Sequence, residues 1–209
     1  MDNIKNIIFD YGNVIFTLDF EKSKHAWKSL GIENTEAFYG HNVQDNIFDK
    51  FEKGEITPKE FRSFVKNKVK SKTVTDEEIN KTWNSLLVGI APGNHELLLK
   101  IKQKYRTFLL SNINAIHYDH IHRYLKDEFG YENNNHLFEK TYYSHLVGKR
   151  KPDINIFQQV MEENNLLPSE TLFIDDSPQH IESAKKLGIN TYLMTAPDNI
   201  QKLFSTWDI

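Results

Sequence analysis

The chain predicts an α/β fold built on a doubly wound parallel sheet, and three short apolar runs carry that prediction. Ile7-Ile8-Phe9, Thr107-Phe108-Leu109-Leu110 and Leu172-Phe173-Ile174 read as strands buried on both faces, because their apolar residues run on without alternation. Each run ends in polar chemistry: Asp10 after the first, Ser111-Asn112 after the second, Asp175-Asp176 after the third. Ligands of open parallel sheets bind in the crevice beyond the carboxyl ends of the strands, so one shared crevice is expected.

The remaining elements follow in order. After Ser111 the signals alternate: a strand around Thr141-Tyr142-Tyr143, a helix from about Ile154 to Asn164, the Leu172–Ile174 strand, and a helix near Gln179–Leu187. Gly188 suits the left-handed cap that closes this last helix. A final strand is expected over Asn190–Met194. Asn133-Asn134-Asn135 reads as a loop tip. No internal repeat interrupts the pattern.

Residues 19–90 break the alternation, with no convincing strand but several helix starts. Thr57-Pro58-Lys59-Glu60 supplies an N-cap, a proline at the first helical position and a capping-box glutamate, and Thr75-Asp76-Glu77-Glu78 repeats the device. Phe48 and Phe51, then Phe61 and Phe64, are spaced three apart, as the core of a small helical bundle requires. The expected organisation is therefore an α/β core over 1–18 and 91–209, with a helical cap over 19–90 hanging above the strand tips as a lid.

Bulk composition narrows the function. The chain has 209 residues, 26 basic and 29 acidic, for a net charge of -3. That near balance gives no electrostatic case for nucleic acid. There is no cysteine, which excludes disulfides and thiolate chemistry and fits a reducing, cytoplasmic setting. No segment approaches the ~18 apolar residues of a membrane span. The phosphate of any small phosphorylated partner would have to be attracted locally rather than by a global field, and the oligomeric state is open.

Asp10 after an apolar run is a common strand ending, and Gly12-Asn13 explains the tight turn behind it. In the functional reading Asp10 attacks an electrophile. Asp175 and Asp176 repel each other, so keeping both ionised favours a nearby cation, and oxygen-only ligands point to magnesium. Lys151, in GKRKPD, offers a point charge for a phosphate. Ser111 and Asn112 offer short donors at a strand tip.

The ordered set FDYGNV, LLSN, GKRKPD and FIDDSPQHIESAKKLGI resembles the four motifs of the haloacid dehalogenase superfamily over nearly the whole chain. Residues 19–90 look like its small α-helical cap. FDYGNVI, GEI and RKPDINI are most similar to bacterial α-D-glucose-1-phosphate phosphatases. The resemblance implies a magnesium-dependent phosphatase in which Asp10 is the nucleophile that becomes an aspartyl-phosphate. Ser111 and Asn112 would bind the phosphoryl group and Lys151 would neutralise it. Asp176 would ligate magnesium directly, Asp175 through a water, and Gly12 through its carbonyl.

One position departs from the superfamily pattern. Two residues past the nucleophile these phosphatases usually carry an aspartate as general acid and base; here it is Gly12. Asp19, a cap histidine or an ordered water could stand in, or the substrate could have a good leaving group, such as an anomeric oxygen or an acyl phosphate. His117, His120 and His122 do not all share a helical face and read as a solvated rim. His41, Asn46, Trp83 and Asn84 could touch substrate, although Trp83 also suits a bundle anchor. A 2-haloacid dehalogenase, which needs no metal, and a non-catalytic binding protein are the competing readings; a mutase would rely on the missing acid.

Overall fold

The computed structural model describes residues 3–35, 38, 46–69 and 73–207. Five parallel strands form the main sheet: β1 (Asn6–Phe9), β4 (Arg106–Ser111), β5 (Lys140–Tyr143), β6 (Thr171–Asp175) and β7 (Asn190–Leu193), in the order β5-β4-β1-β6-β7. β1 is central, pairing Ile7 with Thr107 on one side and with Leu172 on the other. Chain order runs outward from β1 to β4 and β5, then returns to build β6 and β7 on the opposite side. The tips of β4, β1 and β6 therefore stand side by side where the winding reverses, the place such sheets use for ligands.

Continuous apolar runs form these strands because both faces are covered. Ile7, Phe9, Leu109 and Ile174 join a cluster with Leu98, Ile101, Ile121, Leu125, Phe138 and Phe204. Ile8, Phe108, Leu110 and Phe173 point the other way, onto Ile156, Phe157, Val160, Ile181 and Ala184. Strand side chains alternate between faces, so consecutive residues of β1 serve two separate layers. The helix expected from about Ile154 spans Ile154–Glu163 and the next Pro178–Lys185, with Gly188 at φ +75 just beyond it.

Among the described residues five helices lie between β1 and β4: α1 (Phe20–Leu30), α2 (Asn46–Glu52), α3 (Pro58–Lys68) and α4 (Asp76–Asn84) make up the helical segment, and α5 (Asn94–Lys104) follows it. Thr57 and Thr75 each close a capping box, taking the N–H of Glu60 and of Glu78 while those carboxylates return to the cap backbone. The aromatic spacing has the expected result. Phe48, Phe51 and Phe61 are buried together with Trp27, Ile79 and Trp83. Phe61 stacks on Phe51 at 4.4 Å and meets Trp83 at 4.9 Å. His41 lies outside the described residues.

Two expectations need correction. The stretch to Ile90 does contain a strand: β3 (Leu87–Ile90) pairs antiparallel with β2 (Phe16–Leu18) as a short ribbon at the two ends of the helical segment. Four residues interrupted by Gly89 give no periodicity to read. The second concerns Asn133-Asn134-Asn135, which does lie in the loop before β5 but is tied into the core at its middle residue. Residues Asn134–His136 form a 3-10 turn, and Asn134 is fully buried with its amide donating to Tyr143 Oη (2.9 Å) and accepting from Tyr11 Oη (3.4 Å). A buried polar side chain is tolerated when its partners are supplied, and these lie far off in sequence. Among the described residues no helix is long and apolar enough to cross a membrane.

Candidate active site

The three strand tips and one loop converge as anticipated. Lys151, fully buried, lies in the loop after α7 (Ser144–Val147) and before α8 (Ile154–Glu163). Its Nζ donates to Asp10 Oδ1 at 2.6 Å and to Asp175 Oδ2 at 2.6 Å. The loop is held by Asn112, whose amide donates to the Lys151 carbonyl (2.8 Å) and accepts from the Lys151 N–H (2.9 Å). The Asn112 side chain thus positions Lys151. Ser111 is buried at the neighbouring tip and lines the same cavity.

Asp175 has no exposed surface and its oxygens are engaged: Ser177 N–H and His180 Nδ1 reach Oδ1 at 2.8 and 2.9 Å, and Lys151 holds Oδ2. Asp176, half-buried, accepts from the Asn13 amide at 2.9 Å. Oxygens of Asp10, Asp175 and Asp176 all lie within 4.8 Å of one another. Three carboxylates around one ammonium leave the cluster two charges negative when ionised. Burial pushes the Asp10 carboxyl up, to about 7, with Asp175 and Asp176 adding to the rise and Lys151 opposing it. Burial also works against Asp175, but Lys151 and His180 outweigh it and hold that carboxyl down at about 2. Asp10 is the group left short of positive charge. A hard divalent cation would supply it, so this all-oxygen set fits magnesium.

Above the tips opens a cavity of about 690 Å³. Its floor is Asp10, Gly12, Ser111, Asn112, Lys151 and Asp176; its roof includes Trp27, Glu52 and Trp83 from the helical segment. Asp19 does not line it; its carboxylate caps α1 by accepting from the Lys22 N–H at 2.8 Å. Trp83 is both bundle anchor and cavity wall, whereas Asn84 is buried away from the cavity. The side chain of Asn46, like His41, lies outside what is described.

The solvated-rim reading fails for His117, which is buried against Trp83 of the helical segment. Trp83 Nε1 donates to Asn114 Oδ1 (3.0 Å), the Asn114 amide faces His117 Nδ1 (3.2 Å), and His117 Nε2 faces the Trp83 carbonyl (3.0 Å). These partners assign the neutral Nε2–H tautomer. His120 and His122 are half-buried and take no part in this contact. Sequence reasoning passed over His180, Arg150 and Glu52. Arg150 pairs with Asp49, and its Nη2 lies 3.2 Å from Glu52 Oε2, tying α2 to the Lys151 loop. Adjacency to Lys151 was the one available signal for Arg150; Glu52, in a run of mixed charge, had none.

A family model described as haloacid dehalogenase-like hydrolase matches residues 30–194. A D-ribitol-5-phosphate phosphatase from Bacteroides thetaiotaomicron is 30% identical over 191 residues, 90% of this chain and 91% of the relative. The crystal structure of a HAD family enzyme from the same organism, an aspartate-to-alanine variant in complex with magnesium and inorganic phosphate, superposes with a TM-score of 0.87 at 38% identity, covering 96% of this chain and 98% of that one. A HAD-like family hydrolase from Porphyromonas gingivalis gives 0.86 at 29% identity, covering 97% of each chain. Motif order, sheet topology and these matches together place the chain in the haloacid dehalogenase-like hydrolase family.

Proposed function

We propose that the protein is a magnesium-dependent phosphatase that hydrolyses a small sugar or polyol phosphate through an aspartyl-phosphate on Asp10. One observation carries the reading: Asp10 projects into the cavity with a buried lysine at 2.6 Å and two further carboxylates beside it. A nucleophile, a fixed cation and a site for a divalent ion are the parts phosphoryl transfer requires. Two relatives support it, one named for a polyol phosphate and one holding magnesium and phosphate.

Asp10 and Asp176 would hold the ion directly with the Gly12 carbonyl, because the oxygens of Asp175 are already spent on Lys151, Ser177 and His180. Bound there, the ion neutralises the carboxylates and draws charge from a phosphoryl oxygen. Ser111 and the backbone at Asn112 would bind the remaining phosphoryl oxygens, and Lys151 would keep Asp10 aimed while offsetting developing charge. In this reading residues 19–90 form the cap domain over a core of 1–18 and 91–209, excluding water from the cavity. The preference for an anomeric or acyl leaving group expected from Gly12 applies if no other acid serves the site.

Phosphate release is to be measured from a panel of sugar, polyol and acyl phosphates, with magnesium and with chelator, beside Asp10→Asn. Magnesium-dependent hydrolysis lost in Asp10→Asn is expected. Halide release from a 2-haloacid in chelator, without phosphate release, would replace this reading with that of a dehalogenase.

A further inference from the structure

Gly12 occupies the place of the missing acid, and a Cβ there would come within 2.9 Å of Leu18 Cδ1. A sugar or polyol alkoxide needs a proton as it leaves, and general acid help is worth about 10²–10⁴ in rate. The proton has to come from another wall of the cavity.

Among the described residues the titratable side chains on those walls are few. Tyr11 gives its hydroxyl proton to Asn134 Oδ1 at 3.4 Å. Asp10, Lys151 and Asp176 belong to the phosphoryl and cation end. His117 has both ring nitrogens engaged. His180 is turned by Nδ1 onto Asp175. Glu21 and Lys24 are exposed along α1. Glu52 remains, with a side chain only 21% exposed.

Its surroundings favour the protonated form. Oε2 is buried and accepts no hydrogen bond from the described residues, although Arg150 Nη2 is 3.2 Å away. Arg150 sits closer to Asp49, so one guanidinium serves two carboxylates, and the more buried of the two is the easier to keep neutral. Burial raises the Glu52 pKa, Arg150 opposes, Asp49 adds to the rise, and Lys151 opposes. The turn beyond Glu52 is pinned to the core: Gly54 has φ +70, and a Cβ there would collide with the His145 carbonyl.

We propose that Glu52 is the general acid and base of the reaction; this rests on the phosphatase reading above. Asp10 Oδ bonds to phosphorus, the phosphorus–oxygen bond to the alcohol breaks, and the departing oxygen takes the Glu52 proton, giving free alcohol, aspartyl-phosphate and the Glu52 carboxylate. Water then attacks phosphorus and gives a proton to Glu52 as the Asp10–phosphorus bond breaks, releasing phosphate and restoring both side chains.

The test compares an alkyl phosphate with p-nitrophenyl phosphate, whose phenolate leaves without a proton. Glu52→Gln should lose ~10²–10⁴ in kcat/KM on the alkyl phosphate and under about tenfold on the aryl one. Equal losses on both, or none on the alkyl substrate, overturn the assignment. Asp49→Asn is the second variant. It removes a carboxylate that draws on Arg150 and raises the Glu52 pKa, so the alkaline limb of the alkyl-phosphate profile should move to lower pH while the aryl profile stays put. An unmoved limb overturns the proposal even if Glu52→Gln does not fold. Wild-type protein that hydrolyses neither substrate, or Asp10→Asn that hydrolyses both, would remove the underlying phosphatase reading instead.

Discussion

His117 donates from Nε2 to the Trp83 carbonyl at 3.0 Å and stacks on the Trp83 ring at 4.9 Å. Helix α4 and helix α6 (Ala115–Phe129) thereby share one buried contact at the cavity wall. Both ring nitrogens of His117 are used by the neutral form, so protonation would break the arrangement.

That contact fixes a sign for pH dependence. Burial holds His117 down at about 4 from its usual 6.5. The unfolded chain therefore binds this proton first, so stability is full above pH 6.5 and falls as pH drops through about 4. The contribution is about 3 kcal/mol at most. Urea midpoints at pH 7 and pH 4.5 should show a larger loss for wild type than for His117→Phe. Identical losses would place the titration elsewhere.

The carboxylate cluster should bind a cation in the folded protein alone. Magnesium at 100 times its Kd is expected to add about 2.7 kcal/mol to stability, read as a rise in melting temperature that chelator reverses. Asp176→Asn should abolish the rise. A shift that survives this substitution would put the ion away from the strand tips.

Lys151→Met removes the ammonium between two buried carboxylates. Breaking a buried pair in this way costs about 3–5 kcal/mol. Hydrolysis should vanish, and the fall in melting temperature should be smaller with magnesium present, because the ion supplies some of the lost charge. A variant as stable as wild type in chelator would show that Lys151 is not compensating Asp10 and Asp175.

Phe61→Ala opens a hole beneath Phe51, Phe48 and Trp83. A loss of about 3–5 kcal/mol is expected in chemical denaturation. Below 1 kcal/mol, the helical segment would have to be relaxing around the gap.

The sequence was readable where a local pattern has one physical cause. β1, β4 and β6 announced themselves because a strand covered on both faces must be apolar throughout, and their polar ends marked the site. Thr57-Glu60 and Thr75-Glu78 showed two helix starts because a capping box is complete within four residues. Contacts assembled from distant segments left no such trace. Glu52 and Arg150 sit in charged stretches that look solvated, and only docking of α2 on the Lys151 loop makes them wall residues. Asn134 seemed a turn residue because the tyrosine hydroxyls that satisfy it come from Tyr11 and Tyr143. The β2–β3 ribbon is too short to set up a period.

The apolar centre of the helical segment is not finished by that segment. Ile116, at the start of α6, is buried in the same cluster as Trp27, Phe61 and Trp83, with Ala115 packed beside it. Cut out as a 19–90 fragment, the bundle would show bare aromatic surface and tend to self-associate. Chimaeras that exchange this helical segment between relatives must accordingly carry the first turn of α6 with the transplant, or the graft will lack its last wall.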